Sequence, residues 1–146
     1  MTGLLKLLDD IAIAMRACPE IVNLAEIVPY PDLATSDFNS LSRTIYAMPN
    51  GSVLIAWQSS GIGDEPMLGW AHRIDIYARS MRRQSPLMLL NAIIDGVPAG
   101  ETIRWRYLCV NEDVLPMEIE EIARLIDEEG IDYYVIRSVF REKGDY

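Results

Sequence analysis

The hydrophobic period of this chain changes in a definite order, which restricts its fold more than any other feature. Apolar residues recur at helical spacing over residues 3–17, with charged residues between them. From Arg43 the pattern becomes that of strands, a second helical stretch runs from Ser85-Pro86 to Asp95-Gly96, and strand patterns then resume. This order predicts an α+β fold, in which two helices pack on a mostly antiparallel sheet.

Four segments in the middle of the chain are predicted to form strands. Residues 44–48 and 52–58 flank Pro49-Asn50-Gly51, and Asn-Gly between two apolar runs is typical of a hairpin. Residues 102–110 also have a strand pattern. Residues 69–79 alternate, so that one side would carry Trp70, His72, Ile74 and Ile76, and the other side Arg73, Asp75, Tyr77 and Arg79.

The end of the chain contains one segment with two interpretations. Residues 117–126 fit a helix through Ile119, Ile122 and Ile126, and they also fit a strand that alternates less cleanly. Residues 131–141 are rich in tyrosine, valine, isoleucine and phenylalanine, which predicts a strand. We favour a hairpin in which residues 127–130 connect two strands.

The length of 146 residues predicts a single domain over residues 1–146, with loops at residues 28–42 and 59–68. The second loop contains Gly61-Ile62-Gly63. Acidic residues follow it and no third glycine opens a helix, so we exclude a phosphate-binding turn.

No stretch of the sequence predicts export or membrane insertion. Lys6, Asp9 and Asp10 interrupt the first apolar stretch, and no run approaches the ~20 apolar residues of a membrane span. The two cysteines, Cys18 and Cys109, form no CxxC pair and are predicted to be reduced, buried thiols.

Residues suited to catalysis or metal binding are few. His72 is the only histidine, and no cluster of cysteine and histidine accompanies it. The acids at residues 127–132 lack the alternating spacing of a calcium loop. We therefore predict no catalytic residue, no metal and no cofactor. The alternative hypothesis is a small enzyme or ligand-binding domain with a pocket near Trp57, Trp70, His72 and Trp105.

The net charge of −9 is concentrated in residues 112–132, which we name the acidic segment. It holds nine carboxylates and one base, Arg124, so the rest of the chain sums to −1. Its carboxylates are Glu112, Asp113, Glu118, Glu120, Glu121, Asp127, Glu128, Glu129 and Asp132. Such density suits docking to a basic partner, or lining a passage through which a polyanion slides without sticking.

The one basic cluster consists of Arg79, Arg82 and Arg83, between a predicted strand and the second helix. Three interpretations remain open: a solvated turn, a subunit interface, or contacts to a nucleic-acid backbone. The acid excess of the chain argues against free-standing nucleic-acid binding.

Four pieces of the sequence resemble the tail terminator (tail completion, or neck) proteins of long-tailed bacteriophages. They are the opening helix running into residues 18–22 (CPEIV), the passage from residues 73–79 (RIDIYAR) to 85–90 (SPLMLL), the ending from 127–134 (DEEGIDYY) to Glu142, and the Asn50-Gly51 turn before an apolar strand. The resemblance covers most of the chain and includes no catalytic motif.

This resemblance implies a structural virion protein and not an enzyme. Tail terminator proteins form a ring, usually a hexamer, that caps the tail tube and meets the head connector. DNA passes through the lumen of the ring without specific binding. We expect Arg79, Arg82 and Arg83 to be interface cations, with the acidic segment as their partner or as a lumen or docking surface. A head-side adaptor and a tail tube subunit are alternatives within the same class. The expected location is the virion, after assembly in the host cytoplasm.

Overall fold

The computed structural model describes residues 3–30, 51–62, 68–81, 84–126 and 132–143. Its helices are α1 (Leu4–Arg16), α2 (Pro19–Val22) and α3 (Pro86–Asp95), and a short 3-10 helix spans Trp105–Tyr107. Its strands are β1 (Glu26–Tyr30), β2 (Ser52–Ile62), β3 (Leu68–Arg79), β4 (Glu118–Ile126) and β5 (Asp132–Lys143).

The described strands form one mixed sheet in the order β1-β2-β3-β5-β4. β1 runs parallel to β2, and the other neighbouring strands are antiparallel. The α+β prediction is therefore confirmed, with a sheet that is antiparallel except at one edge. The predicted hairpin at the end of the chain is also confirmed, because residues 118–126 form a strand that pairs with β5.

The main core lies between the helices and one face of the sheet. The amphipathic pattern of α1 buries Leu7, Leu8, Ile11 and Met15, as predicted. The predicted alternation of β3 is also confirmed, because His72, Ile74 and Ile76 are fully buried on this face. A second, smaller apolar cluster on the opposite face of the sheet contains Leu54, Ala56, Tyr77 and Val135.

Two predictions about the neighbours of β2 are wrong. The predicted hairpin over residues 44–58 would need the edge of β2 that β1 occupies from Ser52 to Ala56. Residues 44–48 themselves lie outside the described residues. The predicted loops were also too long, because β1 includes residues 28–30 and β2 continues through residues 59–62. Residues 59–62 belong to the strand despite their unfavourable residue types, because pairing with β3 supplies their backbone hydrogen bonds.

Three further predictions fail because tertiary contacts outweigh local pattern. Residues 102–110 are not a strand: Trp105 is 1% exposed, and its indole Nε1–H donates to the carbonyl of Ile93 at 2.7 Å. In α3, helical spacing puts Leu87 on one face with Leu90 and Ile94, which predicts its burial. Leu87 is instead 54% exposed, and the buried residues of the helix are Leu89, Leu90 and Ile93. Cys18 is buried as expected, but Cys109 is exposed.

Candidate functional site

A line of hydrogen-bonded side chains ties three strands together at one end of the sheet. Ser60 Oγ accepts a hydrogen bond from Trp57 Nε1–H at 2.8 Å and lies 2.6 Å from His72 Nδ1. His72 Nε2 lies 3.0 Å from Glu142 Oε1. With the serine hydroxyl donating to Nδ1 and the Nε2–H donating to Glu142, both ring nitrogens of this fully buried histidine have partners.

The line contains the residue types of a serine–histidine–carboxylate triad, but its geometry favours a structural role. A nucleophilic serine must present its oxygen to a substrate. Here the Ser60 hydroxyl is already bound by both Trp57 and His72. The imidazole is fully buried, so an external substrate has no access to it. We interpret the line as a polar network that holds the end of the β2–β3 hairpin against β5.

A cleft of about 730 Å³ opens beside this network, and we name it the hairpin-end cleft. Its lining combines apolar side chains with charges of both signs, and three carboxylates outnumber two lysines. The lining residues are Gly3, Lys6, Ile62, Gly69, Trp70, Asn111, Glu112, Asp113, Glu142 and Lys143. Ile62 is 73% exposed at the end of β2, so the cleft has an accessible apolar wall.

The loop that supplies Glu112 and Asp113 is anchored to the end of β5. Val114 forms an isolated bridge with Glu142, and the amide of Lys143 donates to the carbonyl of Asp113 at 2.8 Å. Lys143 Nζ donates to the Glu112 carbonyl at 2.6 Å. The two carboxylates are exposed and make no ion pair with the described residues. Among the described carboxylates of the acidic segment, these two therefore differ from those of β4, which are paired with arginines.

Other members of the acidic segment are neutralised within the chain. Cross-strand pairing brings each of them next to an arginine of β3 or β5, on the face of the sheet opposite the helices. The pairs are Glu118 with Arg141 at 3.2 Å, Glu120 with Arg73, and Glu121 with Arg137 at 2.8 Å. The acidic segment is therefore not one uniform negative patch.

The remaining acids fall outside this account. Asp127, Glu128 and Glu129 lie outside the described residues, and Asp132 begins β5 with a side chain that is not described. The observed arginine partners are Arg73, Arg137 and Arg141, none of which belongs to the predicted basic cluster. Sequence patterning missed these pairs because they depend on the register between β4, β5 and β3.

The basic cluster lies where β3 leads into α3. Arg79 is the last residue of β3 and is half-buried, whereas Arg82 and Arg83 lie outside the described residues. Three apolar side chains of this passage are accessible, and we name them the α3 entry: Met81 is 37% exposed, Leu87 54% and Met88 54%. No acidic residue occupies the first turn of α3. Helical spacing did not reveal this apolar surface, because it groups the exposed Leu87 with the buried Leu90.

The α3 entry and the hairpin-end cleft lie at opposite ends of β3. Leu68 at the start of the strand pairs with Lys143 beside the cleft, and Met81 follows the last residue of the strand by two positions. Twelve residues of strand at roughly 3.3 Å each separate the two ends by about 35 Å. The chain thus carries two different partly apolar surfaces, one near each end of β3.

The residues predicted to line a ligand pocket are only partly brought together. Trp57 joins His72 through Ser60, and Trp70 lines the hairpin-end cleft. Trp105 lies instead in the core against α3. Glu142, which sequence reasoning missed, could have been suspected only from its alternation with Phe140, because the partner of His72 depends on strand register.

Two ionisable residues on the opposite face of the sheet have raised pKa values. Burial is the main cause of the raised pKa of Asp75, and Arg137 opposes it. Burial and the neighbouring Asp75 likewise raise the pKa of Tyr77, whose hydroxyl donates to Asp75 at 3.3 Å. Near neutral pH the Tyr77 phenol therefore keeps its proton and can donate it to Asp75 in a hydrogen bond.

Among the described residues, no group of three or more histidine, cysteine, aspartate or glutamate side chains is positioned to hold a metal ion. No helix in the described ranges has the length and apolar character that a membrane span requires. The sequence matches no protein-family model and has no significant similarity to a curated protein.

Proposed function

We propose that this chain is a structural virion protein that forms a ring at the head-proximal end of a phage tail. The resemblance to tail terminator proteins rests on pieces that fall on successive elements: α1 into α2, β3 into α3, and β5. The order of elements supports the proposal because the described parts of these three pieces lie on the helix, strand-to-helix and strand elements that the resemblance implies.

The observation that carries the proposal is the pair of end surfaces. A ring requires heterologous contacts, in which one surface of a subunit meets a different surface of the next. Met and aromatic residues are enriched in such contacts. The α3 entry offers Leu87 and Met88, each 54% exposed, and the hairpin-end cleft offers Ile62 and Trp70 some 35 Å away along β3, by about 3.3 Å per residue.

The mechanism is steric and electrostatic. A closed ring presents one face to which tube subunits do not add, so polymerisation stops, and its other face becomes the docking surface for the head connector. DNA in the lumen must pass without being held, and unpaired arginines would bind its phosphates. The arginines of the open sheet face are paired with Glu118, Glu120 and Glu121, which suits a surface near passing DNA.

The test combines oligomeric state with tube assembly. Native mass spectrometry of the purified chain, alone and with its tail tube protein, is expected to show one closed ring of fixed copy number. Added to elongating tubes, the protein is expected to stop growth and to appear at one tube end in electron micrographs. Tubes grown with an equal amount of unrelated protein are the control.

Two outcomes would count against this function. A strict monomer under all conditions, including with tube protein, would remove the ring. Long tubes formed by this chain alone would make it a tube subunit instead.

A further inference from the structure

We propose that neighbouring copies meet head to tail, with the α3 entry of one copy seated in the hairpin-end cleft of the next. This inference deepens the proposed ring and rests on it. Its occupant is a second copy of this chain, identified by the complementarity of the two surfaces.

Distance prevents the two surfaces from meeting within one molecule. They lie at opposite ends of β3, about 35 Å apart at roughly 3.3 Å per residue. In the proposed ring each copy therefore offers one end of β3 to one neighbour and the other end to the next, and a rotation between copies closes the ring.

The apolar parts of the two surfaces match in character and in accessibility. Leu87 and Met88 project from the first turn of α3, which carries no acidic residue. The cleft provides Ile62, 73% exposed, and the half-buried Trp70. Burying these side chains against each other would remove accessible apolar groups at both ends from water.

In sequence, the segment that carries the α3 entry is basic, whereas the loop at the cleft is acidic. Residues 76–94 contain three arginines and no carboxylate, and two of these arginines directly follow Met81 in the sequence. At the cleft, Glu112 and Asp113 are exposed and make no ion pair with the described residues, unlike the three carboxylates of β4. Opposite charges across an interface select the partner and set its orientation, more than they add affinity.

A pair of variants tests this contact because each one blocks a different end. The first, Leu87→Ser with Met88→Ser, removes the exposed apolar side chains of the α3 entry. The second, Glu112→Lys with Asp113→Lys, reverses the charge of the cleft loop. Glu20→Lys with Glu101→Lys makes the same change in net charge as the second variant, at exposed positions of α2 and of the turn after α3, and serves as its control.

Native mass spectrometry should show that each blocked variant has lost the ring and that the control retains it. Mixing the two blocked variants should restore a single contact, giving a 1:1 heterodimer that grows no further. Circular dichroism and thermal melting check that each variant is folded.

Other results would overturn the contact, and they separate it from the ring itself. A wild-type ring that both blocked variants still form leaves the proposed function in place and removes this contact. The same conclusion follows if the folded variants remain monomeric when mixed. A wild-type chain that never assembles, even with tube protein, removes the ring and the contact together.

Discussion

The imidazole Nε2 of His72 lies 3.0 Å from Oε1 of Glu142, although the two residues are 70 positions apart in the sequence. His72 is completely buried, so its ring nitrogens depend on protein partners instead of water. Glu142 satisfies one nitrogen and also lines the hairpin-end cleft. The network thus connects the packing beneath the sheet to the shape of the proposed contact surface.

Replacing Glu142 by alanine is expected to destabilise the fold by about 1–3 kcal/mol, because it leaves a buried N–H of His72 without an acceptor. Glu142→Gln keeps an acceptor and should lose less. Urea unfolding, monitored by tryptophan fluorescence, measures the stability of both variants. Glu112→Ala removes an exposed carboxylate from the same cleft and is the control, expected within about 0.5 kcal/mol of wild type. Equal midpoints for Glu142→Ala and Glu112→Ala would refute the role of the hydrogen bond.

Gly51 should tolerate alanine much less well than Gly100 does. Both glycines have positive φ, 73° and 82°, where an L-residue costs about 1–2 kcal/mol. A Cβ at Gly51 would also lie 2.5 Å from Met81 Cγ and 3.0 Å from the Leu24 carbonyl oxygen, whereas a Cβ at Gly100 meets open space. Gly51→Ala should therefore cost at least ~1 kcal/mol more than Gly100→Ala in chemical unfolding. Equal losses of unfolding free energy in the two variants would mean that Met81 and Leu24 move aside without cost.

One thiol per chain should react rapidly with a disulfide reagent under native conditions. Burial, with the nearby Glu20 charge, raises the pKa of Cys18 to about 11, and the thiolate is the reactive form. Cys109 is exposed. At neutral pH, the absorbance of the thiolate that the reagent releases should correspond to one reacted thiol per native chain. After unfolding it should correspond to two. Cys109→Ser should abolish the fast reaction, and a persistent fast phase in that variant would contradict the burial of Cys18.

The stability of the chain should depend on the ionisation of Asp75. Because its native pKa is raised above the unfolded value, the folded state favours the protonated acid. The destabilisation is absent below the unfolded pKa and grows as pH rises through the native pKa. The asparagine of Asp75→Asn can still accept a hydrogen bond from the Tyr77 hydroxyl and carries no charge. The melting temperature of this variant should therefore be higher than that of wild type at neutral pH. That advantage should shrink in acid; an advantage independent of pH would exclude ionisation as its cause.

Local patterns were sufficient for much of the fold. The helical period of α1, the alternation of β3 and the Ser85-Pro86 start of α3 all depend on nearby residues, and the structure agrees with them. Residues 102–110 have an equally plausible strand pattern. There the burial of Trp105 against Ile93 decides the outcome, and that contact depends on how α3 packs.

Long-range register determined what the sequence left open. Nothing near residues 52–56 indicates that β1 would lie beside them in parallel, so a local hairpin was the simpler prediction. The same limit applies to the candidate site. The acid cluster was visible in the sequence, but the pairing of Glu121 with Arg137 follows from the alignment of β4 with β5. Which acids remain available to a partner therefore required the structure.

The two parts of the acidic segment should separate by mutation. Replacing Glu118, Glu120 and Glu121 together by glutamine removes three exposed ion pairs, each worth no more than about 1 kcal/mol, because solvent screens them. Their charges are already balanced by arginines, so native mass spectrometry should find the ring unchanged. Glu112→Gln with Asp113→Gln removes fewer charges but should weaken assembly, most clearly at low salt, where opposite charges attract furthest. If the triple variant lost the ring and the double variant kept it, the contact surface would lie on the sheet face and not at the cleft.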